Sequence, residues 1–423
     1  MNEVTNSLRL PEGWEIKKLG EVCDVIGGGT PSKANAKFYN GTINWATVRD
    51  MQGDKIVETE HKITEVAVKS SSTNIIPKGN IIIATRVGLG KVSLIENDTA
   101  INQDLRGIIP KRKSQLSVSY LFQWLKSISH LIVEEGTGAT VQGVKLPFIK
   151  NLEIPHPPLP EQQRIVAIID EAFAAIAKAK ANAEQNLKNA KELFDSYLQS
   201  VFENKGEGWE EVRLSELAID ITDGDHMPPP KTQEGVPFIT ISNINKQNHR
   251  IDFSDTFTVS IEYFQKLKGN RKPKKGDVLY TVTGSYGIPV LIEDDFEFCF
   301  QRHIGLIRPK ENVSSKWLYY WILSPKAFMQ ANDTATGTAQ KTVSLTALRN
   351  FIVPKMSLSD QQTIVQKLDA LSVQTKKLEA IYQQHLNDLD ELKKSVLQKA
   401  FRGELHNPKG TGQLQSPEGA ASA

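Results

Sequence analysis

The chain has only two cysteines in 423 residues, Cys23 and Cys299, too far apart for a CxxC-type metal motif and too few for a disulfide framework. That scarcity fits a reducing compartment, and no structural zinc is expected. Long apolar runs are also missing. Stretches such as Ile81-Ile82-Ile83-Ala84 are far short of the ~20 residues that span a membrane. Met1 to Leu10 lacks the apolar core of a signal peptide, so a cytoplasmic protein with no membrane association is expected. Neither charge sign dominates: 51 Lys and Arg face 49 Asp and Glu, and the net +2 does not announce a nucleic-acid partner. With 39% apolar and 24% charged residues, the composition excludes a disordered or fibrous chain.

Catalytic signatures are equally scarce. A phosphate-binding P-loop needs glycine five residues before Gly90-Lys91, where Thr85 stands. Gly27-Gly28-Gly29 does not continue as GxGxxG and reads as a loop. His156-Pro157-Pro158-Leu159 lacks both the polar first residue and the stacking aromatic of an amino-methyltransferase tetrad, which leaves a rigid linker. The eight histidines form no HxxxH or HxH pair, and Asp223-Gly224-Asp225-His226 reads as an Asx-rich turn rather than a cation site. Glu15-Ile16-Lys17 and Glu391-Leu392-Lys393 resemble nuclease fragments without the upstream acid. No catalytic centre or metal site is expected in this chain.

What the sequence does have is a repeat of itself. Thr137, Gly138, Val144, Leu146, Asn151 and Pro155 return 199 positions later as Thr336, Gly337, Val343, Leu345, Asn350 and Pro354. The register holds through Gln162-Gln163, Ile165-Val166, Asp170 and Phe202, which return as Gln361-Gln362, Ile364-Val365, Asp369 and Phe401. Earlier segments match more loosely and drift: Gly13-Trp14-Glu15 meets Gly208-Trp209-Glu210, and Asn102-Gln103 is set against Phe300-Gln301. One tight and one loose segment per copy imply a shared architectural part beside a part that meets something variable.

The tight segments read as long helices. Ile169, Phe173, Ile176, Ala183, Leu187, Ala190, Phe194, Tyr197 and Val201 recur at seam spacing. So do Leu368, Leu371, Leu378, Tyr382, Leu389, Leu392 and Val396, with Thr375 filling an interior step. Pro160 suits a first turn, Ser359 with Gln362 reads as a capping box, and Gly206 and Gly403 stand where left-handed caps belong. The regions before the helices are mixed α/β, with strands expected at Ile43–Val48, Ile81–Ala84, Phe238–Ile241 and Val278–Val282 and short helices at Ser119–Lys126 and Lys316–Leu323. The expected layout is a first globular domain at 1–158, a helix at 159–205, a second domain at 206–357, a helix at 358–403 and a disordered tail at 404–423.

Charge is zoned rather than summed. Lys266, Lys268, Arg271, Lys272, Lys274 and Lys275 crowd one loop, and Lys111-Arg112-Lys113 stand together. Around them lie Arg, Asn and Gln, the side chains that read base edges, with Lys, Ser and Thr, which mainly contact phosphate.

With that plan, the chain resembles the specificity subunit of a type I restriction-modification enzyme. The resemblance runs from Leu10-Pro11-Glu12-Gly13-Trp14 to Phe401-Arg402-Gly403-Glu404-Leu405, and its most specific marks are Ile154-Pro155-His156-Pro157-Pro158-Leu159-Pro160-Glu161-Gln162-Gln163 and Gly136-Thr137-Gly138-Ala139-Thr140-Val141-Gln142. It implies a mixed α+β chain with two tandem target-recognition domains, each followed by a long helix, the helices pairing antiparallel as a coiled-coil spacer. It further implies a non-catalytic subunit that binds double-stranded DNA at a bipartite site and joins two modification subunits and restriction subunits. S-adenosylmethionine, ATP and Mg are then expected on those partners, and no cofactor here. The DNA-binding residues expected are Lys33, Arg49, Arg86, Gln103, Arg106, Gln142, Asn243, Asn245, Lys272, Lys275, Thr283, Arg302 and Lys341. Gln162, Gln163, Ile169, Phe173, Gln361, Gln362, Leu368 and Leu371 are expected to dock partners. A coiled-coil scaffold without DNA affinity is the alternative, and a self-contained DNA-modifying enzyme is disfavoured by the missing tetrad.

Overall fold

The structure, a computed structural model, describes residues 11–137, 143–204, 206–227, 229–338 and 340–405. It falls into two compact units. The first comprises residues up to Asn182 together with the stretch from His385 onward, and the second is the continuous segment Ala183–Gln384.

Each unit is built on the same strand plan. In the first, Glu15–Lys18 pairs antiparallel with Glu153–His156, and a five-stranded sheet runs Cys23–Gly27, Leu105–Pro110, Ile81–Ala84, Val92–Ile95, Lys55–Ile56. In the second, Glu210–Arg213 pairs with Ile352–Lys355, and the sheet runs Ala218–Asp223, Ile304–Pro309, Val278–Thr281, Pro289–Leu291. Ile81–Ala84 and Val278–Thr281 are buried at every position, which is why they read as unbroken apolar runs rather than an alternation. A smaller sheet in each unit contains one parallel pair, Ile43–Ala46 with Thr99–Ile101 and Val236–Ile239 with Cys299–Phe300.

Two expected strands end early for one reason. After Ala46 and Ile239 the chain enters a 3-10 turn, Val48–Asp50 and Ile241–Asn243. Thr47 N donates to Asp50 Oδ2 at 2.7 Å, and Thr240 N donates to Asn243 Oδ1 at 2.9 Å. A side-chain oxygen three residues on thus takes the amide that a longer strand would have used.

The first long helix spans Leu159–Glu203 and the second Leu358–Phe401. Ile165 and Ile169, from the start of the first, share a core in the first unit with Leu397, Ala400 and Phe401, from the end of the second. Leu198, Phe202 and Leu368 do the reverse in the second unit. Start packs on end both times, so the helices run antiparallel. The expected seam shifts near the helix ends: Leu198 and Phe202 are buried beside Tyr197 and Val201, which are half-buried against the same core, and Leu392 is 48% exposed. A straight helix of 3.6 residues per turn slips against a 3.5-residue repeat, so a seam read at constant spacing loses register with length.

The caps also differ. Ser357 is the true start of the second helix: its Oγ accepts Asp360 N at 3.1 Å, leaving Ser359 inside the first turn. Gly403 does adopt the left-handed conformation, at φ 73°, but Gly206 does not; the positive φ of Gly208, 80°, repeats that of Gly13, 81°, in the turn before each unit's first strand. Of the expected disordered tail at 404–423, Leu405 packs against the first unit's core and its oxygen accepts Arg164 Nη2 at 3.2 Å; the part from residue 406, like Gln142, lies outside the described residues.

Candidate nucleic-acid interface

In each unit the chain leaves the parallel strand pair, makes a tight turn and returns along the main sheet. The turn is Asn102-Gln103-Asp104 in the first unit. Its frame is backbone: Asn102 N donates to Ala46 O at 3.0 Å, and Thr85 N donates to Asp104 O at 2.9 Å. Val144 N then donates to Thr85 O at 2.8 Å. In the second unit Gln301 N donates to Ile239 O at 2.9 Å, Val282 N to His303 O at 2.9 Å and Val343 N to Val282 O at 2.8 Å. These bonds align Asn102, Gln103 and Asp104 with Gln301, Arg302 and His303. The looser alignment of Asn102-Gln103 with Phe300-Gln301 is corrected by one residue.

Glycine is required under each turn by close approach. A Cβ on Gly28 would stand 1.9 Å from Asn102 O, and one on Gly224 would stand 1.9 Å from Phe300 O. That explains glycine at positions 28 and 224 in segments that otherwise share little.

On the first frame, Arg86 and Gln103 are exposed, and Arg86 lies 3.8 Å from Asp104. Arg106 donates to Gln103 O at 3.0 Å and to Leu105 O at 2.7 Å. Burial, and then the nearby Arg86 charge, hold the Arg106 guanidinium below its usual range. The Gln103 carboxamide oxygen accepts from Thr30 Oγ1, on the glycine-rich loop that ends in the exposed turn of Lys33. The structure therefore gathers Arg86, Gln103 and Arg106. Arg49 lies exposed on its own 3-10 turn.

The second frame opens into a surface pocket of ≈ 380 Å³ lined by Asp223, Thr283, Arg302, His303, Gln340 and Thr342 among others. Thr283 and Arg302 were expected there; Asp223 and His303 were not, and neither was Asp104 in the first unit. Carrying the 199-residue register back into the loosely matched part would have paired Asp104 with His303. Burial, followed by the Arg302 charge, lowers the His303 imidazole below its ordinary value and favours its neutral form. Lys341 is exposed beside the pocket, and its backbone oxygen accepts Gly284 N at 3.0 Å.

Several expected site residues have other roles. Asn243 is 6% exposed; its oxygen caps the 3-10 turn and its Nδ2 donates to Asp255 O at 2.9 Å and Asp252 O at 3.3 Å. A buried carboxamide engaged at both ends has nothing left for a base, so Asn243 is corrected to a structural residue. Asn245 is exposed and closes an Asx turn through Gln247 N at 2.8 Å. In the cationic loop, Lys272 donates to Gln265 O at 3.0 Å and rests over the Phe264 ring, while Arg271 lies 3.3 Å from Asp223 and 3.5 Å from Asp225. Lys266, Lys268, Lys274 and Lys275 are the exposed cations that remain.

The glutamine pair at each helix start is split in role. Gln162 is fully buried: its oxygen accepts Ser117 N at 2.8 Å and its Nε2 donates to Gln115 O and Pro157 O, each at 2.8 Å. Gln361 repeats this with Ser314 N at 2.8 Å, Met356 O at 3.2 Å and Asn312 O at 3.4 Å. Both clamp the helix start to the loop before an aromatic helix. With Ile169 and Leu368, each 0% exposed, they have no surface to offer a partner, which corrects their expected docking role. Phe173 and Leu371 are half-buried, and Gln163 and Gln362 are exposed.

Residues 11–188 and 206–387 each match the type I restriction modification DNA specificity domain. The chain is 25% identical to the type I restriction enzyme MjaIX specificity subunit of Methanocaldococcus jannaschii, over 94% of each protein. It is 37% identical to the EcoR124I/EcoR124II specificity subunit of Escherichia coli over a shorter stretch, 37% of this chain and 40% of that one. Among solved structures, the HsdS subunit from Thermoanaerobacter tengcongensis shares the fold with a TM-score of 0.66 at 22% identity, covering 96% of this chain and 100% of the other. A chain from the type I R-M system solved for its assembly and conformational transition does so with a TM-score of 0.72, also at 22% identity, covering 94% and 100%. The chain belongs to the family of type I restriction-modification DNA specificity subunits and carries two copies of its specificity domain in tandem.

Proposed function

We propose that this chain directs a type I restriction-modification complex to a bipartite DNA site, each unit reading one half. The observation that carries this reading is the duplicated turn, one backbone frame that presents Arg86 and Gln103 in the first unit and Arg302 and His303 at the matching place in the second. Lys33, Arg49, Arg86, Gln103 and Arg106 serve the first half-site. Asn245, Thr283, Arg302 and Lys341 serve the second, with Lys272, Lys275 and their neighbouring lysines holding phosphate. The long helices fix the unread spacer, and exposed residues near their starts, including Gln163 and Gln362, meet the modification subunits. This chain is non-catalytic in the proposal: S-adenosylmethionine, ATP and Mg act on the partners.

Two measurements test it. Gel-shift titration at two salt concentrations is expected to show affinity falling with salt by about one unit of log slope per neutralised phosphate. A coiled-coil scaffold would bind no DNA. Methylome sequencing of cells carrying this chain with a modification subunit is expected to return a bipartite motif, and a continuous motif would sink the half-site reading.

A further inference from the structure

The two units carry different side chains on one matching piece of backbone. The frame bonds from the turn to Ala46 and Ile239, from Thr85 and Val282 to the turn, and from Val144 and Val343 to Thr85 and Val282 recur in both units with donor-acceptor distances within 0.1 Å of one another. The closing bridges recur too, Thr137 with Gly143 and Thr336 with Thr342. On that common frame stand Arg86, Gln103 and Asp104 in one unit and Thr283, Arg302 and His303 in the other. Gln103 and Arg302 are exposed and Asp104 and His303 half-buried, so these side chains can differ without disturbing the shared packing. Here a carboxamide faces a guanidinium, and a carboxylate faces an imidazole.

We propose that Gln103-Asp104 and Arg302-His303 are one interchangeable reading turn, and that its side chains alone select a base at one position in each half-site. This rests on the DNA-reading function proposed above and assigns its specificity to two residues per unit. Gln103 presents an amide donor and an oxygen that, beside the bond it accepts from Thr30 Oγ1, keeps a second lone pair, the pattern that matches adenine N7 and N6, so the first turn selects adenine. Arg302 presents a fork of donors, which matches guanine O6 and N7, so the second turn selects guanine. Asp104 supports the first turn: it accepts Asn102 Nδ2 at 3.0 Å and lies beside Arg86, which keeps an acid-base pair at the edge of Gln103. His303 supports the second from within the pocket that Arg302 lines.

The test uses the full chain assembled with its modification subunit. The unaltered complex is first read for its motif; if no bipartite motif appears, the DNA-reading function itself fails, independently of the turn. With a motif in hand, Gln103→Arg is expected to change adenine to guanine at one position of one half-site and leave the other half-site untouched. Arg302→Gln is expected to do the opposite in the other half. Gln103→Ala and Arg302→Ala are expected to relax the same positions, discrimination falling roughly 5- to 150-fold, which corresponds to losing one good base contact. Binding to a library of single-base variants of the motif, with thermal melting of each protein, accompanies the methylation readout. Variants that melt with the parent and keep the parental motif overturn the proposal. So do variants that melt with the parent and bind no library member, or that change both half-sites at once.

Discussion

The two units solve one folding problem twice, and their interiors differ at a telling place. In the second unit Asp277, 2% exposed, takes Arg308 in a bidentate pair at 2.7 and 2.9 Å. The matching strand positions in the first unit are Asn80 and Ile109, with no buried charge. Asn80 keeps a turn-closing role, donating to Pro77 O at 2.9 Å, much as Asp277 accepts Lys274 N at 2.8 Å. A charged pair and a neutral pair therefore occupy one frame. Removing two charges from water costs about what their attraction returns, so either solution is stable while half of one is not.

The sharpest way to break this comparison is to mix the solutions. Arg308→Ile alone strands Asp277 and is expected to cost roughly 3 to 5 kcal/mol in denaturant titration. Adding Asp277→Asn, which installs the first unit's pair, is expected to recover most of it. A double variant as unstable as the single one would show that the pair is intrinsic to the second unit's packing.

The glycines under the turns test whether the frame is shared in energy as well as geometry. Gly28→Ala and Gly224→Ala each drive a methyl into a backbone carbonyl and are expected to cost about 3 kcal/mol or more. Hydrogen exchange should localise the loosening to the unit that carries the change. The buried glutamines come next. Gln162→Ala and Gln361→Ala leave a buried backbone amide and carbonyls without partners, at an expected cost of roughly 2 kcal/mol each. Gln163→Ala and Gln362→Ala, next door and exposed, are expected to leave stability within about 0.5 kcal/mol. Equal losses at both glutamines of a pair would refute the clamp.

Last and smallest is the loop after each turn-facing segment. Val87 sits at φ 34° where the second unit has Gly284 at φ 71°. A β-branched residue in that region is strained, so Gly284→Val is expected to cost about 1 to 2 kcal/mol. Val87→Gly is expected to be neutral or slightly stabilising, because relieved strain is offset by the entropy that glycine adds to the unfolded chain. Both are read by chemical denaturation.

Much of this architecture was legible in the sequence. The tight repeat placed both long helices, and unbroken apolar runs marked the central strands Ile81–Ala84 and Val278–Thr281. The readings that failed depend on partners distant in sequence. Nothing local distinguishes Gln162 from Gln163; the difference is a backbone amide at Ser117, 45 residues away, which reaches one and not the other. Asn243 looked like a base reader because Asn on a polar loop often is, yet Thr240 and Asp255 consume it. Asp104 and His303 were hidden by a register slip of one residue in the loosely matched part, where insertions blur the alignment and only the backbone bonds restore it.

The division of the long helices also sets an order of events during synthesis. The second unit is one uninterrupted segment, Ala183–Gln384, so every residue of its core has emerged once that segment leaves the ribosome. The first unit begins earlier and is completed later. Its core includes Leu397, Ala400 and Phe401, with the Phe401 ring 5.2 Å from that of Tyr120, so Ile165, Ile169 and Tyr120 wait through the translation of an entire intervening domain. Domains made first usually fold first. Here a part of the N-terminal unit's core, Leu397, Ala400 and Phe401, is supplied last.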